Sequence, residues 1–299
     1  MIEIKNLYKD FDGFQAVKNI SATIEDGHVF GLVGTNGAGK STLLRMIAGI
    51  FRPAKGEIII DGEPVSNAEV KNNIFYISDE QFFFPGATPK DMMDYYAGIY
   101  EGFDKDMFQD LLNKFGLDIN RKITTFSKGM KKQLSVILGV SANTKYLLCD
   151  ETFDGLDPVM RQAVKKVFIA AMEDRAMTPI IASHNLRELE DICDHVGLLH
   201  QGGILFSKDL DEMKMGIHRI QCVFDTDSDK NAFFKDMDVM SDEVRGSLHT
   251  ITVRGSREDI EDKLGNISTV FAEILPLSLE EIFISETEVV GYDVKNIID

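Results

Sequence analysis

No stretch of this 299-residue chain approaches the roughly eighteen uninterrupted apolar residues of a membrane-spanning helix. Its first segment, MIEIKNLYKDF, alternates apolar with charged residues where a secretory signal would be continuously apolar, so neither a spanning segment nor a leader is expected. Cysteine is scarce. Cys149, Cys193 and Cys222 are scattered, odd in number and in no metal-ligand spacing, which excludes a disulfide framework and a zinc site and leaves packing as their expected role. Positive charge is also short: 32 Lys+Arg against 49 Asp+Glu gives a net charge of −17, removing the long-range attraction that nucleic acid or bare anionic lipid would need. The deficit deepens toward the carboxyl end, where 8 Lys+Arg against 18 Asp+Glu from Gly216 onward leave 8 − 18 = −10. Internal repeats, low-complexity tracts and sustained heptads are absent from the sequence.

What is present is an alternation of strand and helix signals. Apolar runs of strand length recur at HVFGLVG, EIIIDG, IFYIS, YLLCD and TPIIAS, several followed by helix-like stretches, and predict an α/β core around a largely parallel sheet. Ile2, Ile4 and Leu7, then Ile20, Ala22 and Ile24, have strand spacing and predict an antiparallel addition at one edge. Thr88 before Pro89, and Asp104 before KDMFQ, read as helix caps, so residues 80–143 are expected to form a helical insertion. A turn at HQGGILF and the polar helix DLDEMK are expected to close a first domain, residues 1–215. The remainder, 216–299, reads as a small α+β domain: HRIQCVFD and HTITVRG alternate like strands, and SDKNAFFKDM and SREDIEDKLG look helical with Ser caps.

Four short motifs carry chemistry. GTNGAGKST follows a buried-strand pattern and comprises Gly34, Thr35, Asn36, Gly37, Ala38, Gly39, Lys40, Ser41 and Thr42. Its glycines allow backbone N–H groups to curl around phosphates at a helix start, Lys40 reaches the β and γ oxygens of a nucleotide, and Ser41 offers Mg²⁺ a hydroxyl. YLLCDE ends an apolar run in two acids; behind a phosphate loop, Asp150 suits the Mg²⁺ shell and Glu151 suits proton abstraction from an attacking water. In ASHN, His184 at a strand end either contacts a γ-phosphate or simply begins the next helix on the surface. FSKGMKKQL, with Ser127 and Gly129 before a helix, reads as a second anion site that needs a ligand of its own.

In this order, the motifs resemble the nucleotide-binding subunit of ABC transporters over residues 1 to about 215. The resemblance implies a P-loop NTPase with a RecA-like core, an antiparallel β edge subdomain and a helical insertion. Gly34–Thr42 matches the Walker A motif, FSKGM the signature, YLLCDE Walker B, FDGLDP the D-loop and His184 the switch histidine. Phe11 matches the aromatic residue that stacks on adenine. The implied cofactors are ATP and Mg²⁺. The implied partners are a transmembrane permease, the sole route to the membrane, and a second ATPase subunit, in a homodimer or a heterodimer. Two subunits meet head to tail, so that Ser127, Gly129 and the following N–H groups bind the γ-phosphate held by the partner's phosphate loop.

The chain departs from that family at two motifs. The signature, usually L-S-G-G-Q, has Lys128 for a Gly and Met130 for the Gln. In YISDEQFFF the expected Gln near Mg²⁺ is replaced by Asp79, with Gln81 two residues on as the other candidate, and slower turnover without the partner is expected. Phe82, Phe83 and Phe84 cannot all face one way, so at least one is expected exposed near the permease-contacting surface. LPLSLEEIFISET, Leu275–Thr287, resembles the ending of ATPases that serve ABC-2 type exporters and carry an accessory carboxyl-terminal domain, implying export and a bacterial cytoplasmic subunit. Two other classes are weighed against this motor. A soluble ABC-type ATPase acting on DNA or the ribosome would want a basic stripe, and a nucleotide-dependent regulator would not need Glu151 and His184.

Overall fold

The computed structural model describes residues 1–289, apart from the side chains of Phe206 and residues 286–289. The last ten residues of the expected carboxyl-terminal domain, 290–299, lie outside the described residues. The chain divides into two compact units, the first ending at Ser207 and the second starting at Lys208.

The first unit opens with β1 (Ile2–Phe11) and β2 (Phe14–Ile24), followed by β3 (Phe30–Val33), α1 (Lys40–Ile47), β4 (Lys55–Ile60), β5 (Glu63–Pro64) and β6 (Ile74–Ile77). Three helices come next, α2 (Pro89–Ala97), α3 (Lys105–Lys114) and α4 (Lys128–Ser141). The unit continues through β7 (Tyr146–Asp150), α5 (Pro158–Arg175), β8 (Thr178–Ser183), α6 (Leu186–Glu190), β9 (His195–His200) and most of β10 (Gly203–Asp209), whose last two residues fall past the division. Six strands form the central sheet in the order β10-β9-β3-β8-β7-β6, and the pairs from β9 to β6 are parallel. β3, β7 and β8 are buried at every position, which is why they read as largely apolar runs rather than alternating ones in the sequence.

EIIID, expected in the parallel core, belongs elsewhere. β4 pairs antiparallel with β1, Ile2 opposite Ile60, in a separate sheet ordered β2-β1-β4-β5. Only its carboxyl half is buried, so it covers one face of a core rather than lying inside one. β1 and β2 pair antiparallel, with Ile2 opposite Ile24, Ile4 opposite Ala22 and Leu7 opposite Ile20. Thr88 closes a capping box with Asp91 at the start of α2, and Asp104 accepts the Met107 N–H at the start of α3.

The second unit contains α7 (Leu210–Gly216), β11 (Ile217–Phe224), α8 (Asp227–Asp236), β12 (Asp238–Arg245), β13 (Leu248–Arg254), α9 (Arg257–Gly265), β14 (Thr269–Leu275) and α10 (Leu279–Val289). The polar helix DLDEMK, taken from sequence as the close of the first domain, is α7. Leu210 and Met213 are buried, and the helix packs on β11 and α10 within this second unit. From β11 to β14 the order is βαββαβ in an antiparallel sheet β12-β13-β11-β14, a ferredoxin-like arrangement. Its core joins Ile220, Cys222, Ile251 and Val253 of the sheet to Phe233 of α8 and Ile260 of α9. Ser256 caps α9 as expected, but α8 is capped by Thr226, and Ser228 lies inside the helix. Ser278 accepts the Glu281 N–H while Glu281 accepts the Ser278 N–H at 2.9 Å, so the conspicuous SLEE of the tail is a reciprocal helix cap.

All three cysteines are free and buried, and burial pushes the Cys149 thiol up to about 12 and Cys222 to about 11. Among the described residues no helix is long and apolar enough to cross a membrane.

Candidate functional site

The carboxyl ends of β3, β7 and β8 lie along one edge of the parallel sheet, with Val33 in register with Ser183 and Asp150 with Ala182. Loops leaving such an edge are where an open α/β sheet can hold a ligand. Gly34–Lys40 joins β3 to α1 here. Gly39 adopts a left-handed conformation, φ 105°, and a Cβ on it would lie 2.4 Å from the Ala16 carbonyl oxygen. A Cβ on Gly34 would lie 2.5 Å from the carbonyl oxygen of Leu199, so both ends of the loop are pressed too close to backbone for a side chain. Lys40 is 5% exposed; its Nζ donates to the carbonyl oxygens of Gly34 at 2.7 Å and Thr35 at 3.4 Å, and the loop is curled around it.

Asp150, 1% exposed, accepts hydrogen bonds from Ser41 Oγ at 2.8 Å and from the Tyr76 hydroxyl at 2.9 Å. The Tyr76 oxygen in turn accepts from Arg45 Nε at 3.2 Å. Burial pushes the Asp150 carboxyl up, and the two hydroxyl donors act against that push. Sequence reasoning missed Tyr76 and Arg45. The only local signal was a tyrosine in the apolar strand IFYIS, and nothing near it named Asp150 as its partner.

Glu151 sits one residue beyond β7 in a left-handed conformation, φ 48°, with its N–H donated to the Ala182 carbonyl at 2.9 Å. Oε1 lies 3.4 Å from Lys40 Nζ, and Oε2 lies 2.8 Å from His184 Nδ1. His184 is therefore brought to Glu151 rather than left as an isolated helix-start residue. Behind it, Asn185 N–H donates to Ser183 Oγ at 3.0 Å, Ser183 Oγ donates to the buried Glu188 at 3.3 Å, and Arg161 pairs with Glu188 at 3.3 Å. These contacts fix the turn that carries the histidine.

Ser41 and Asp150 form a hydroxyl–carboxylate pair suited to Mg²⁺, which keeps most of its positions for water and phosphate oxygens. Among the described residues no group of three or more His, Cys, Asp or Glu converges into a protein-made metal cage. Asp79, expected beside the metal, turns to another partner, its Oδ1 lying 3.7 Å from Lys132 Nζ. Gln81 folds back on its own loop, donating to the carbonyls of Ser78 at 3.3 Å and Asp79 at 2.7 Å.

Ser127 is the exposed cap of α4, its Oγ accepting the Met130 N–H at 3.2 Å. Lys128 pairs with Asp154 at 3.5 Å, so this lysine faces the turn that follows Glu151. A Cβ on Gly129 would stand 4.0 Å from the Gly155 carbonyl oxygen of the same turn. Phe11 is exposed and meets Phe51 edge-on at 5.4 Å, with Lys9 Nζ 4.9 Å from its ring centre. Phe82 is 72% exposed, and Phe84, also exposed, packs edge-on against Tyr95 at 4.8 Å.

A family described as ABC transporter matches residues 17–154. The ABC transporter ATP-binding protein YtrB of Bacillus subtilis is 34% identical over 287 residues, which cover 96% of this chain and 98% of YtrB. The chain belongs to the family of ABC transporter ATP-binding proteins. The lantibiotic transport ATP-binding protein SrtF of Streptococcus pyogenes is 32% identical over 213 residues, 71% of this chain and 92% of SrtF. Among solved structures, an ATP-binding subunit of an ABC transporter matches with a TM-score of 0.66 at 25% identity, covering 72% of this chain and 92% of the other. The first unit thus has the fold of an ABC ATPase cassette, a P-loop NTPase. The likeness to YtrB extends over both units of this ABC transporter ATP-binding protein.

Proposed function

We propose that the protein is the ATP-hydrolysing motor of an ABC exporter, working as a dimer on the cytoplasmic face of a separate transmembrane permease. The observation that carries this reading is Glu151, held between Lys40 and His184 beside the Ser41–Asp150 pair. A carboxylate so placed has a phosphate-loop cation on one side and an imidazole on the other, as proton abstraction from water next to a γ-phosphate requires.

Without nucleotide, Lys40 is engaged by two loop carbonyls and by Glu151. Triphosphate oxygens compete for its ammonium and free Glu151 to accept a proton from the attacking water. His184 orients the carboxylate and the water. Ser41 and Asp150 would hold Mg²⁺, which would supply charge neutralisation for the triphosphate. Phe11 offers its ring face to adenine. Ser127, Gly129 and the exposed N–H groups of α4 bind the γ-phosphate on the partner's phosphate loop, so ATP favours closure and hydrolysis removes the link. The exposed Phe82 and Phe84 offer the permease an apolar contact, and the tail's resemblance to exporter ATPases supports the direction of transport.

The test is phosphate release from purified protein with ATP and Mg²⁺, together with capture of the partner from membranes. Release abolished by Glu151→Gln and a polytopic partner support the reading; no release, or nucleic acid as the sole partner, overturns it.

A further inference from the structure

Lys132 lies on the second turn of α4, and its side chain is 0% exposed. Its Nζ donates to the backbone carbonyl of Glu151 at 2.6 Å. Two carboxylates face the same ammonium, Asp79 at 3.7 Å and Asp154 at 3.9 Å, close enough for ion pairing and too far for a hydrogen bond. One buried cation thus joins three segments: the loop after β6, the backbone at Glu151 and the turn after it. A buried ammonium without partners would be strongly unfavourable, and these contacts offset the burial.

The consequence falls on Glu151. Its N–H is held by the Ala182 carbonyl in β8 and its carbonyl by Lys132 in α4, with φ at 48° between them. A non-glycine residue keeps a left-handed conformation only where its surroundings over-determine it. The two backbone anchors do so here, and they aim the side chain at Lys40 and His184.

We propose that Lys132 is a positioning residue for Glu151, with Asp79 as its counter-ion, so that α4 and the loop after β6 together set the direction of the carboxylate. This rests on the hydrolytic reading of Glu151 given above. It also gives the Asp79 substitution a role: the acid that departs from the expected glutamine shares with Asp154 the balance of this lysine's charge, at 3.7 Å and 3.9 Å.

The test compares Lys132→Met, which keeps length and apolar stem but has no donor, with wild type. The kcat for ATP is expected to fall about tenfold or more while KM stays within about twofold, as for a group acting on the transition state through its neighbour. Independently of activity, amide hydrogen exchange in the peptide covering residues 150–156 should rise about tenfold, with the Gly34–Thr42 peptide unchanged. Lys132→Gln, which retains an N–H donor, should fall between the two. Asp79→Asn should lower kcat less in the Lys132→Met background than in wild type, because the two residues act as one unit. A folded Lys132→Met protein with unchanged kcat and exchange overturns the proposal, as do strictly additive effects of the two substitutions. Should Lys132→Met fail to fold, Lys132→Gln and Asp79→Asn carry the same comparison. An inactive wild type would instead sink the hydrolytic reading, and the exchange measurement alone would then decide the positioning.

Discussion

Lys40 and Glu151 lie 3.4 Å apart, each held from its far side, the lysine by the Gly34 carbonyl at 2.7 Å and the glutamate by His184 at 2.8 Å. The acid and the phosphate-loop cation neutralise each other in a site with little exposure, 5% for the lysine side chain and 14% for the glutamate. On the proposed reading, phosphate oxygens that recruit Lys40 would also release Glu151, so nucleotide binding and readiness of the acid would be one event.

Glu151→Gln removes the charge that competes for Lys40 and the base that accepts the proton in the proposed mechanism. ATP affinity should hold or improve, measured with a fluorescent analogue, while phosphate release falls by about a hundredfold or more. Light scattering should show dimers accumulating with ATP and Mg²⁺. A variant that binds ATP yet stays monomeric speaks against a shared site.

Mixing variants tests the sharing directly. Lys40→Ala should lose nucleotide affinity in its own loop, and Ser127→Arg should block the anion site of α4, so each alone is inactive. In a mixed homologous dimer one site joins the intact loop of the second variant to the intact helix of the first, and activity should return in part. Verified mixed dimers without recovery would exclude the head-to-tail arrangement.

Tyr76→Phe leaves the buried Asp150 with one hydroxyl donor instead of two and removes the acceptor of Arg45. Losing a hydrogen bond to a buried charge should lower the unfolding free energy by about 1–3 kcal/mol, read as a lower urea midpoint at constant slope. The Mg²⁺ concentration that half-saturates ATPase activity should rise as well. An unchanged midpoint would mean that the Tyr76–Asp150 bond contributes nothing net.

Asp26, in the turn after β2, accepts a hydrogen bond at 2.9 Å from the hydroxyl of Tyr146 at the start of β7. Burial pushes its carboxyl up, but hydrogen bonds from Lys145, the Met1 amino group and the Tyr146 hydroxyl outweigh burial and hold it at about 2, below the ordinary 3.8. Its folded value is depressed, so its contribution is present above the unfolded value and is lost as pH falls from about 4 toward 2. Lys145→Ala should raise the Asp26 titration midpoint, followed by NMR. It should also produce a stability deficit that is present at neutral pH and disappears in that acid window. Because Lys145 also pairs with Asp61 at 2.6 Å, a deficit independent of pH would place the lysine's effect outside both ion pairs.

The parallel core, the antiparallel edge and the helical insertion were legible because local spacing carries them. β3, β7 and β8 are buried at every position and mostly apolar, β1 and β2 alternate, and Thr88 and Asp104 cap their helices. EIIID misled because an apolar run of strand length does not say which sheet receives it, and half-burial shows only after pairing. α7 departs from the expectation because a polar helix does not declare in its sequence which core its Leu210 and Met213 will join.

By itself the sequence determined which groups can do phosphate chemistry, because that requirement is local: glycines where the backbone must bend, a lysine at a helix start, acids and a histidine at strand ends. Tertiary structure alone decided which of them meet. Tyr76 reaches Asp150 across 74 positions and His184 reaches Glu151 across 33, through the pairing of β6, β7 and β8. Lys132 finds the Glu151 carbonyl because α4 packs beside the end of β7. Such contacts depend on strand register and helix docking, long-range geometry that no short motif contains.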